Sequence, residues 1–170
     1  MWLSIIIISI LGTLLHFLYD WTNHNKIVGL FAAVNESTWE HIKIALTSTI
    51  LWSLVDGYKY GLYPNYFLAK LGSLLIIVIV IPLLFYTYQL ITKKDIVIVD
   101  ISIFYIAIIL SQIIFKYIIN LNDLGPICTY ISCLLLFIFF GCYLLLTLLP
   151  LKNFIFKDPL TNKYGFKGHK

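Results

Sequence analysis

His16, Asp20, His24, Glu36, Glu40 and His41 fall within one 26-residue window of a chain that is otherwise sparing with ionisable groups. Imidazole nitrogens and carboxylate oxygens are donors that zinc, manganese or iron accept, and His16 with Asp20, at i and i+4, can present two of them from one helical face. Asp100, five residues past Asp95, lies roughly 7 Å into a later helix from the same side. His16, Asp20, His41 and Asp100 are therefore candidate ligands for a divalent metal such as zinc. Glu36 and Glu40 are candidate general bases toward a metal-bound water. No HExxH, no ExxH pair of the di-iron type and no cysteine ligand set is present, so the metal reading rests on clustering. A hydrogen-bonded structural network is the competing reading. For Glu40 a simpler reason also stands: Ser37 with Glu40 three residues on is a capping-box pattern at a helix start.

The elements that must hold these groups are set by the solvent the chain requires. Of 170 residues, 61% are hydrophobic and 12% charged, too few polar side chains to clothe a water-soluble domain. Continuous apolar runs, rather than alternating ones, cover Trp2 to Tyr19, Trp39 to Val55, Tyr66 to Ile91, Ile96 to Ile119 and Ile127 to Leu149. Each is long enough to cross roughly 30 Å of hydrocarbon as a helix that satisfies its own amides. The expected fold is all-α: a polytopic membrane bundle of about five helices over residues 1–150, followed by a basic cytosolic tail over 151–170. Residues 27–34, apolar but too short to span, form an interfacial or re-entrant segment. The first run has no charge before it and no small-residue cleavage site after it, and is expected to be a retained helix.

Lysine supplies all twelve basic residues and sets the orientation. With the N-terminus outside, Lys26, Lys43, Lys93, Lys94, Lys152, Lys157, Lys163, Lys167 and Lys170 fall on the cytosolic side, against Lys59, Lys70 and Lys116 outside. The expectation is N-out, C-in, in the cell membrane. The net charge of +4 then reflects topology and attraction to anionic lipid, not nucleic acid binding. Lys70 and Lys116, near helix ends, are expected to snorkel, with Asp56 a partner for either. Cys128, Cys133 and Cys142 lack CxxC spacing and read as small buried fillers. Ser9, Gly12, Thr13, His16 and Asp20 share one stripe of the first helix, which is expected to face protein. Asp158-Pro159 and Gly165 favour turns, so the tail either folds back over the cytosolic mouth or remains a disordered basic segment.

The strings HFLYDW at His16–Trp21, VNESTWEHIK at Val34–Lys43 and DPLTNKYGF at Asp158–Phe166 resemble an uncharacterised family of small bacterial multi-helix membrane proteins. The resemblance covers most of the chain, and its most distinctive part is the NES-x-WEH block. It departs from the family pattern at Ala33, where proline is usual, and near Asn162, where glycine is. The resemblance implies membrane location and no particular activity.

Three functions stay open at this level. One is a membrane-embedded, metal-dependent hydrolase acting on a lipid or peptide at the cytosolic face. Another is a small ion-coupled carrier whose bundle a second copy completes. The third is a non-catalytic assembly subunit whose basic tail docks a membrane partner.

Overall fold

The computed structural model describes residues 1–168. His169 and Lys170, the latter one of the lysines expected on the cytosolic side, are the last two positions of the tail and lie outside the described residues. Five long helices follow one another: α1 Trp2–Trp21, α2 Thr38–Tyr60, α3 Tyr66–Thr92, α4 Val97–Ile119 and α5 Pro126–Leu148. Among the described residues there is no strand, only an isolated bridge between Lys157 and Tyr164. The chain is a helical membrane bundle, in which α1, α3, α4 and α5 are long and apolar enough to span.

α2 differs in kind from the other four. It is 23 residues long, but Glu40, Lys43, Thr47, Ser48, Thr49 and Asp56 are all buried along it. It packs against α1, α3 and α4, and Thr47 bonds the Tyr143 hydroxyl of α5 at 2.8 Å. The apolar helices thus shield a polar one, and each buried group on α2 needs a partner. Thr49 and Ser53 return hydroxyls to the carbonyls one turn back, at 2.8 and 3.0 Å. Lys70 of α3 does not snorkel: it takes the expected partner Asp56 at 2.5 Å and is buried there with its ammonium over the Phe115 ring. A partner on a facing helix holds the charge inside the bundle. Lys116 lies over the Tyr60 ring.

The centre is close-packed: Ile8, Leu46, Leu74, Ile77 and Ile108 are almost wholly buried. On the α1 stripe, Gly12 admits Phe104 of α4 so closely that a Cβ there would lie 2.3 Å from its ring, and Thr13 meets Tyr105 at 3.3 Å. Small residues buy this approach between helices. The cysteines do not follow the expectation of buried filler. Cys133 and Cys142 are exposed on the outer face of α5, because lipid solvates a thiol as readily as a core does.

The connection between α1 and α2 positions the candidate site. Thr22 bonds back to the Leu18 and Tyr19 carbonyls, and Asn23 and His24 adopt left-handed backbone angles that stop the helix. The Asn25 side chain accepts the Ile27 amide at 2.9 Å, and a short 3-10 turn follows at Val28–Leu30. The segment then dips back into the bundle: Ala32, Ala33 and Val34 are buried, and the Ala33 amide donates to the Leu15 carbonyl at 3.2 Å.

The proposed capping box does not form. Ser37 is the N-cap residue but makes no side-chain cap bond, and Glu40 turns inward to accept the Val34 amide at 2.8 Å and Lys43 at 2.5 Å. An inserted backbone amide and a buried ammonium outcompete the local cap.

Candidate metal centre

α1 delivers His16 one turn before its end, and α2 delivers His41 in its first turn. Their rings stack at 5.8 Å between centroids with 29° between planes. Glu36, just ahead of α2, bridges them: one carboxylate oxygen lies 3.7 Å from His16 Nε2 and the other 3.8 Å from His41 Nε2. One donor atom from each of the three falls within 4.8 Å of the others. Ligands about 2.0–2.2 Å from a tetrahedral zinc stand roughly 3.4 Å apart, so the three side chains would draw together by up to about 1.4 Å to hold one ion.

Two features hold this triad in place. His41 Nδ1 lies 3.1 Å from the Ser37 carbonyl one turn earlier, which favours the tautomer with a bare Nε2 toward Glu36. Glu36 is held through its backbone: its amide donates to Asp158 at 3.0 Å. Asp158 is buried, and its other carboxylate oxygen accepts both the amide and the hydroxyl of Thr161 at 2.6 Å. The tail is stitched down nearby by Asn35 Nδ2 donating to the Gly165 carbonyl at 2.9 Å and by the Trp39 amide donating to Ile155. Of the two tail arrangements open from the sequence, the described residues take the folded-back one.

A cavity of about 250 Å³ is lined by two members of the triad, His16 and Glu36, together with Asp20, Asp158, Phe17 and Leu160. The other candidates stand apart. Asp20 lines the cavity but reaches His24 at 3.4 Å, one turn on. Asp100 accepts the Tyr88 hydroxyl at 2.5 Å and shares with His41 and Thr38 a crevice of about 10 Å³, room for about one water. Glu40 is buried on Lys43, whose ammonium also donates to the Gly29 carbonyl at 2.8 Å. The structure thus brings together His16, His41 and Glu36, leaves Asp20 and Asp100 at the margins, and places Glu40 in the framework.

Phe17 and Asn35 carry roles that the sequence reading did not isolate. The Asn35 side chain accepts the Ser37 amide at 2.8 Å while donating to the tail. An asparagine two residues before a helix cap was the available signal.

No curated protein and no solved structure matches the chain. Residues 1–166 match the sequence profile of a family of unknown function (DUF6512), and the chain belongs to that family.

Proposed function

We propose that this protein is a metal-dependent membrane hydrolase whose divalent ion, zinc in the first instance, is held by His16, His41 and Glu36. The observation that carries the reading is the convergence of two imidazoles and a carboxylate beside a cavity, with the His41 ring steered by a backbone carbonyl. Three protein ligands with one position open to a cavity is the arrangement of catalytic rather than structural zinc. Bound there, the ion would acidify a water and polarise a carbonyl. Asp20, in the wall of the same cavity, is the group placed to take the proton from that water.

This assigns Glu36 to the metal and Asp20 to proton transfer. Asp100, bonded to the Tyr88 hydroxyl, lines a crevice with His41 and is assigned no ligand role. The lysine distribution supports a site facing the cytosol in the cell membrane.

Elemental analysis of protein purified in mild detergent without chelator tests the reading. About one divalent metal per chain is expected, lost in His16→Ala and His41→Ala. A metal-free wild-type chain that also fails to take up zinc on titration contradicts it.

A further inference from the structure

We propose that the folded tail is a docking site for an anionic phospholipid, whose phosphate is met by Lys157 and Lys163 on the turn that carries Asp158 and Leu160. The proposal does not depend on a metal at His16, His41 and Glu36.

The tail lies at the level of the headgroups. The apolar run of α3 gives way after Phe85 to Tyr86-Thr87-Tyr88-Gln89, a tyrosine-rich composition suited to the membrane–water interface. The Phe154 ring meets Tyr86 edge-on at 5.0 Å, and the Phe154 carbonyl accepts the Tyr86 hydroxyl at 3.4 Å. Phe154 is nonetheless 66% exposed, and Leu151 and Leu160 are also more than half exposed. Beside a spanning helix, such apolar surface is solvated at the boundary of headgroups and acyl chains. The tail therefore runs along the bilayer surface instead of out into water.

Its outward charge has one sign. Lys152, Lys157, Lys163 and Lys167 are exposed, whereas the one carboxylate side chain of the tail, Asp158, is buried and turned inward on the Glu36 amide. Among the described residues no ion pair engages these four lysines. The exposed acids at this end of the bundle have partners of their own: Asp20 meets His24, Glu36 lies between His16 and His41, and Asp95 accepts from Gln89. Unpaired ammonium groups at this depth attract anionic lipid, by about fivefold in binding for each one.

Lys157 and Lys163 are set apart from the other lysines by the backbone that presents them. Lys157 bridges Tyr164, and the Asp158 amide donates to the Lys163 carbonyl at 2.9 Å, so the two lysines stand on adjoining rungs. Asp158 also accepts the amide and hydroxyl of Thr161, and the Asn162 amide donates to the Asp158 carbonyl, which closes a tight turn. The rungs are fixed before a ligand arrives, so little backbone ordering opposes its capture. Two ammonium groups on one turn suit a single phosphodiester, and the exposed Phe154 and Leu160 suit the chains attached to it.

The test uses the full chain in dodecyl maltoside micelles, where equilibrium binding is measured for phosphatidylglycerol, phosphatidylcholine and soluble glycerophosphoglycerol. Phosphatidylglycerol is expected to bind at least about tenfold more tightly than either comparator, with the preference shrinking as salt rises. Lys157→Gln/Lys163→Gln is expected to lose about 25-fold in affinity for phosphatidylglycerol, roughly fivefold for each ammonium removed. Lys93→Gln/Lys94→Gln, which removes the same charge from the exposed connection between α3 and α4, is expected to lose less than about threefold. Both double variants replace exposed side chains, and coincident thermal unfolding checks that both remain folded. Equal binding of phosphatidylcholine overturns the assigned charge, and equal binding of glycerophosphoglycerol overturns a lipid as the occupant. An equal loss in the two double variants overturns the turn as the site.

Discussion

Asp158 accepts the backbone amide of Glu36 at 3.0 Å across 122 residues of sequence, so a tail residue fixes the loop that carries a candidate ligand. It touches no ligand atom itself and acts as a positioning residue. Groups of this kind, when removed, typically cost 10–100-fold in metal affinity. Asp158→Ala is expected to weaken zinc binding within that range in a competition titration, while Asp158→Asn, which keeps an acceptor, recovers much of it. Unchanged affinity in Asp158→Ala would show that Glu36 is held by other means.

Gly12 and Gly141 form a matched pair for the packing of the bundle. A Cβ at Gly12 would meet the Phe104 ring at 2.3 Å, whereas one at Gly141 has nothing within 4 Å. Gly12→Ala is expected to cost about 1–3 kcal/mol through overpacking, and Gly141→Ala to be neutral or stabilising by up to about 1 kcal/mol through helix propensity. Thermal unfolding in one detergent compares them. Equal effects would mean that α1 and α4 are not in close contact at this level.

Glu40 and Lys43 form a fully buried pair, each with a further backbone partner in the inserted segment. Removing one member leaves a charge stranded, at a cost of about 3–5 kcal/mol, whereas replacing both with apolar groups costs less than the two losses added. Glu40→Leu, Lys43→Met and the double variant should therefore be strongly non-additive in unfolding measurements, with zinc stoichiometry unaffected wherever the protein remains folded. Additive losses would show that the pair contributes no coupling. Loss of zinc from a folded Glu40→Leu protein would return Glu40 to the site.

How much of this was legible from the residues depended on whether the deciding partner was local. The helices were legible because twenty-residue apolar runs have few alternatives in a bilayer, and the ends of α3, α4 and α5 fall within a residue or two of the expected spans. The meeting of His16 and His41 was legible as a crowded window across one helix connection. Glu40 was misjudged as a capping residue because its true partner, the Val34 amide, becomes available only when residues 27–34 fold inward. Asp56 is legible as a partner for Lys70, but the burial of the pair is not, because the Phe115 ring of α4 that covers the ammonium is invisible to a reading along one chain segment. The cysteines of α5 were placed inside because the usual rule for thiols assumes water outside.

The coordination shell of the zinc-loaded protein, read by X-ray absorption at the zinc edge, tests the central claim most directly. The expected spectrum is that of two imidazoles and two oxygen donors at about 2.0–2.2 Å, one imidazole being lost in His41→Ala and one oxygen in Glu36→Ala. Sulfur scattering near 2.3 Å, or a spectrum unchanged when His16, His41 or Glu36 is replaced, would contradict it.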